Sequence, residues 1–264
     1  MPPVAKRASE EALDLLNRAI KNKRSLSEFE RIKIEAHLNS SKKVEQMEYY
    51  TASACYYAHI ADIDNLLLCA DYVFSRKHSE PHAMNVLFAL YNTYQYRKIV
   101  DLLNSSGFQL LDDVNYIDIS ISAYSICNEF DKVGGIMENM NETFMVSDGV
   151  KNILYFAAKM HENFIDNDDC SELSGYLLDA LNIYGKSMAS SYRDEIGEAS
   201  LHYVFFEDEG EKLFNLKFEF NSDDDEAIFD AEEDFLCSIS KLNYKPSVRS
   251  KVSFSFESNS EGEK

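Results

Sequence analysis

Ala61-Asp62-Ile63-Asp64-Asn65-Leu66, Tyr94-Gln95-Tyr96-Arg97-Lys98-Ile99 and Asn128-Glu129-Phe130-Asp131-Lys132-Val133 repeat one pattern. Each holds a large apolar residue, then two polar residues, then an aliphatic residue. Ile63 and Tyr96 are 33 residues apart, and Tyr96 and Phe130 are 34 apart. Stepping back 34 from Ile63 reaches Phe29, followed by Glu30, Arg31 and Ile32, a fourth copy. A fixed period of this size marks a fold assembled from one supersecondary unit.

The stretches between these junctions carry helical spacing. Ile63, Leu66, Leu67, Ala70, Val73 and Phe74 fall on one side of a helix. So do Ala83, Leu87, Leu90, Tyr91 and Tyr94, then Tyr96, Ile99, Val100 and Leu103, and later Leu173, Tyr176, Leu177, Ala180, Leu181 and Tyr184. Ser79-Glu80-Pro81 is a start signal, because a capping side chain is followed by proline in the first turn. Asn104-Ser105-Ser106-Gly107 is a stop signal. The chain has only 9 glycines and 4 prolines in 264 residues, and strand-rich folds need more turns than that supports.

The period and its junction resemble the tetratricopeptide-repeat class of helical hairpins over roughly residues 25–190. In that class an apolar residue at a similar junction opens the second helix of each pair. The resemblance implies a mostly α fold: an α-solenoid of paired helices over residues 1–198, whose first helices line a groove for a protein or peptide. On the side of helix 81–94 opposite its packing stripe lie Asn85, Phe88 and Asn92. They are the candidate recognition patch. Two competing expectations stand beside these: that the spacing is accidental in an irregular helical bundle, and that Phe88 packs on a neighbouring helix.

After residue 198 the period changes from helical to alternating. Leu201-His202-Tyr203-Val204-Phe205-Phe206 reads as a strand, and Glu207 to Glu211 as a turn. Phe214, Leu216, Phe218 and Phe220 then alternate with Asn215, Lys217 and Glu219, the pattern of a half-buried strand. Ser222 is the expected cap of a helix whose first turn is Asp223-Asp224-Asp225-Glu226 and whose stripe is Ile228, Ala231, Phe235, Ile239 and Leu242. Val252, Phe254 and Phe256 face one way along a last strand. Residues 199–257 are therefore expected to form a small α+β module of order β-β-α-β. It would pack on the last repeat helix, with a disordered tail at 258–264.

The formal net charge is −20 and is unevenly spread. Residues 1–45 hold ten Lys/Arg and seven Asp/Glu, whereas residues 194–264 hold seven and nineteen. A field of this sign disfavours direct nucleic-acid binding and favours a basic protein partner. Glu207, Asp208, Glu209, Asp223, Asp224, Asp225, Glu232, Glu233 and Asp234 are the acidic candidates for partner binding. Each cluster also has a local explanation as a solvated turn, a helix start or an outer helix face.

The sequence offers no marked chemistry. His78 and His82 are separated by Glu80-Pro81, which breaks the helix that would bring both to one metal. Asp166, Asp168 and Asp169 lack the glycine and glutamate of a calcium loop. Gly134-Gly135 lies in a helix, not at a strand end where a phosphate loop begins. The five cysteines are scattered, which suits reduced thiols in a reducing, cytoplasmic compartment, and no stretch is apolar enough to span a bilayer. The expectation is a non-catalytic protein without cofactor or metal. It acts as an adaptor or regulator through its helical surface or, alternatively, as an acidic inhibitor masking the basic site of a nuclease or DNA-binding protein.

Overall fold

The computed structural model describes residues 4–22, 24–140, 145–163, 167–187, 196–197, 199–208 and 211–259. Its elements run α1 (Val4–Lys21), α2 (Glu28–Lys42), α3 (Gln46–His59), α4 (Ile63–Phe74), α5 (Glu80–Asn92), α6 (Tyr96–Ser106), α7 (Val114–Ile126), α8 (Phe130–Asn139), α9 (Asp148–Asn163) and α10 (Asn167–Ser187). Then follow β1 (Ala199–Asp208), β2 (Glu211–Phe220), α11 (Asp225–Ile239), the single turn α12 (Pro246–Arg249) and β3 (Val252–Ser258). The molecule is mostly helical and ends in a small α+β module of the expected order.

The aligned junctions share one backbone turn. Ala61, Tyr94 and Asn128 all have positive φ, at 54°, 58° and 63°. In each case the next helix begins two residues later, at Ile63, Tyr96 and Phe130. A left-handed residue at the end of a helix lets the chain reverse while late amides still reach helical carbonyls. Thus Asp62 N–H donates to Tyr57 O at 2.9 Å, and Glu129 N–H donates to Tyr124 O at 2.8 Å. Glycine would adopt this conformation without steric cost, and none of the three positions uses it. Gly107 does so at the end of α6, with φ 64° and its N–H on Leu103 O.

The fourth copy, at Phe29, departs from the other three. Its helix starts at Glu28 behind Ser27, whose hydroxyl accepts from Glu30 N–H while the Glu30 carboxylate accepts from Ser27 N–H. Arg24 grips the same carboxylate through two donors, at 2.8 and 2.7 Å. A capping box has replaced the left-handed turn, and Phe29 and Ile32 stand 73 % and 60 % exposed instead of buried.

The chain packs as two compact units, Met1–Tyr94 with Gly185–Asp194, and Gln95–Tyr184 with Glu195–Lys264. In the first, α3 is the central helix and touches α1, α2, α4 and α5. Its run Thr51-Ala52-Ser53-Ala54 is small enough to bury on several sides, and Tyr56 joins Leu16, Leu26, Ile34 and Leu38 in the core.

In the second unit α7 is central, against α6, α8 and α9, and is buried from Tyr116 to Ile126 except at Asp118. The sheet belongs to this unit. Its order is β1-β2-β3, with β1 and β2 antiparallel and β2 and β3 parallel. The parallel pair needs a crossover, which α11 supplies. Phe214, Leu216, Phe218 and Phe220 point to one face and are fully buried there. Phe156 of α9, Tyr184 of α10 and Phe235 of α11 all meet this face. The module therefore packs on α9 as well as on the last long helix.

Two local expectations are corrected. Asp224, not Ser222, is the cap of α11: its carboxylate accepts from Ala227 N–H at 3.0 Å, while Ser222 Oγ accepts from Asp224 N–H at 3.2 Å. The helix accordingly starts at Asp225, and Asp223 and Asp224 precede it. The acidic turn expected from Glu207 to Glu211 is shorter, because β1 runs through Asp208 and β2 resumes at Glu211. At the chain end β3 extends to Ser258, and Asn259 N–H donates to Phe220 O. The rest of the expected tail, 260–264, lies outside the described residues.

Candidate functional site

On α5, Ala83, Met84, Val86, Leu87, Ala89 and Leu90 are buried. Past the exposed Glu80 and Pro81 of the first turn, the exposed residues are Asn85, Phe88 and Asn92, at helical spacing, with His82 and Tyr91 half-buried. Phe88 is 37 % exposed, so its ring is partly held by the helix surface and partly presented to solvent. The start of α5 is fixed by His82, whose Nδ1 lies 2.8 Å from Ser79 Oγ and whose Nε2 lies 3.1 Å from Glu48 Oε1 on α3. This imidazole bridges a helix cap and a neighbouring helix, and that bridging explains its placement.

The acidic candidates separate into three groups. Glu207 pairs across the hairpin with Lys212 at 3.7 Å, next to Asp208 on β1, and Glu209 lies outside the described residues. Asp223 is exposed ahead of α11, and Asp224 is committed to its cap. On α11 itself Asp225, Glu226, Asp230, Glu233 and Asp234 are exposed and Glu232 is half-buried. Among the described residues, Asp225, Glu226, Asp230, Glu232 and Glu233 have no cation within ion-pair distance.

On the outer face of the sheet and beside α10, by contrast, several carboxylates are compensated. Lys217 on the outer sheet face reaches Glu257 at 2.8 Å and Glu219 at 3.8 Å, and His202 Nε2 lies 2.9 Å from Glu219. Lys245 sits between Asp169 and Glu172, each at 2.9 Å, and its own N–H donates to Glu172. Hydrogen bonds to these two carboxylates raise the Lys245 pKa and lower that of Glu172. Tyr244 OH adds a bond to Asp179 at 2.6 Å. These contacts fasten the segment before α12 to α10.

α11 carries a feature that the sequence reading did not single out. Phe229 is 62 % exposed and Leu236 41 % exposed. Seven residues apart, they lie along one flank of the helix, about 10 Å from each other along its axis. Glu232 lies on one side of this line and Glu226 and Glu233 on the other. The signal was available in the sequence, since Phe229 and Leu236 fall off the stripe Ile228, Ala231, Phe235 and Ile239.

Three of the five thiols are not set up as nucleophiles. Burial pushes Cys55 up to about 11, and Cys69 and Cys127 up to about 12, so each is protonated at neutral pH. Cys237 is exposed on α11. His161 is exposed with its ring 5.4 Å from that of Phe130. Among the described residues no group of three His, Cys, Asp or Glu side chains is arranged to hold a metal, and no helix is long and apolar enough to cross a membrane. No protein-family model, no curated protein and no solved structure matches this chain.

Proposed function

We propose that this protein acts by binding another protein, as an adaptor or regulator, and not by catalysis. The proposed setting is cytoplasmic, and the helical hairpins are proposed to be a divergent tetratricopeptide-like set. The observation that carries the reading is the α5 face, where Phe88 stands between Asn85 and Asn92 on a helix that buries Ala83, Met84, Val86, Leu87, Ala89 and Leu90 on its other sides. An aromatic side chain with amides on either side supplies apolar area and directional hydrogen bonds, the chemistry of a recognition hot spot. The interaction is tested with a photo-crosslinking residue in place of Phe88 in the native host, followed by Phe88→Ala in the purified pair. The expected outcome is one stoichiometric partner whose affinity falls about thirtyfold or more, a hot-spot loss. Unchanged affinity would remove α5 from the interface.

A second reading is an acidic inhibitor that masks a basic site. It is favoured by the five carboxylates of α11 that have no cation beside them among the described residues. Like charges left together on one helix disfavour the folded state, and a basic partner relieves that repulsion.

A further inference from the structure

We propose that the outer flank of α11 is a docking strip for a basic amphipathic helix of a partner protein. The inference rests on the binding reading above but concerns a different helix from α5. Phe229 and Leu236 are large apolar side chains turned outward, on a helix that already buries Ile228, Ala231, Phe235 and Ile239 against its own sheet. The fold therefore has no use for them in its core. The carboxylates beside them decide what covers them. Glu226 and Glu233 run along one side of the pair, with Asp225 before it and Glu232 on the other side. An uncharged apolar surface would leave these groups desolvated and unpaired, which is costly.

A basic surface without apolar residues, such as the flat face of a nucleic-acid-binding site, would satisfy the carboxylates and leave Phe229 and Leu236 in water. Only an amphipathic cation satisfies both. The seven-residue spacing selects a helix, because two helices running side by side bring residues i and i+7 of each into register along one seam. The partner helix carries apolar residues seven apart, opposite Phe229 and Leu236. Lys or Arg between and beside them meet Glu226, Glu232 and Glu233. Helix-in-groove recognition uses anchors of this kind.

The probe is a synthetic fluorescent 21-residue peptide with leucine at every seventh position, lysines flanking each leucine, and alanine elsewhere. It is titrated against the full chain by anisotropy at low and high salt. Binding is expected at low salt, weakening at least tenfold at high salt. Phe229→Ser with Leu236→Ser is expected to weaken it more than tenfold, and Glu226→Gln with Glu232→Gln and Glu233→Gln to remove most of the salt dependence. Both variants should melt like the wild type, since the replaced side chains are not fully buried. A peptide with the same composition, scrambled to break the seven-residue spacing, should bind the wild type at least tenfold more weakly than the ordered peptide; this arm does not depend on variant folding. Phe88→Ser should leave peptide binding unchanged, which separates this strip from the α5 reading. Equal binding of the scrambled peptide, equal binding by the double-serine variant, or no binding at low salt overturns the proposal.

Discussion

The two compact units are filled by different kinds of side chain. The first is a helix-on-helix core in which Ala12, Ala19 and Ala52 sit among Leu16, Leu38 and Ile34, with Tyr56 the one ring among its fully buried members. The second is a ring cluster in which Phe214, Phe218, Phe235, Phe256 and Tyr184 meet edge to face or stacked. Helices with small residues at their contact can approach closely, so little volume needs filling. A helix laid on a sheet leaves a deeper layer, and aromatic rings fill it. The difference teaches that order is set locally in the helical hairpins and by distant contacts in the sheet.

That contrast can be broken most directly at Phe218. Its ring is fully buried, 4.1 Å from Tyr184 and 4.8 Å from Phe256 between centroids. Phe218→Ala is expected to cost about 3–5 kcal/mol, read from denaturant unfolding. Because the lost contacts come from α10 and β3 alike, the loss should appear as early protection loss in hydrogen exchange across the whole sheet.

A smaller effect of opposite sign is expected at the hairpin turns. Ala61 holds a left-handed backbone with φ 54°, which costs an L-residue roughly 1–2 kcal/mol. Ala61→Gly removes that cost and returns part of it through a more flexible unfolded chain, for a net stabilisation of up to about 1 kcal/mol. The same exchange at Ala58, in the last turn of α3, should destabilise, by up to about 1 kcal/mol. Equal signs at the two positions would contradict the turn described here.

The smallest effect sharpens the odd fourth copy. The Arg24 guanidinium and the Ser27 amide and hydroxyl hold the Glu30 carboxyl down from 4.5 to about 2. A depressed carboxylate stabilises the fold above its unfolded pKa and loses that contribution as protons bind. The gap in melting temperature between wild type and Glu30→Gln should therefore be full above about pH 4.5 and close as pH falls toward 2. A gap independent of pH would mean that the capping box works without its charge.

Much of this was legible in the sequence where one short stretch sufficed. The alternation from Phe214 to Phe220 gave the buried face of β2, because side chains of a strand switch faces at every residue. The junctions at Ile63, Tyr96 and Phe130 gave three helix starts. The copy at Phe29 also marked a helix start, since α2 begins at Glu28, but its turn differs because the similar residues there follow a serine able to cap and an arginine able to pair. The α5 line was also legible, since six buried positions leave only one side for Asn85, Phe88 and Asn92. The choice of Asp224 over Ser222 as cap was not, because both are good caps and only the backbone geometry at the helix start decides between them.

Read alone, the chain determined its turns, its helix and strand periods and its lopsided charge, since each depends on a few consecutive residues. Only the tertiary structure decided that α9, α10 and α11 share one face of the sheet, and that Phe229 and Leu236 are left outside while Phe235 goes in. Burial is a property of elements that meet across long stretches of chain, and no local pattern carries the identity of the neighbour.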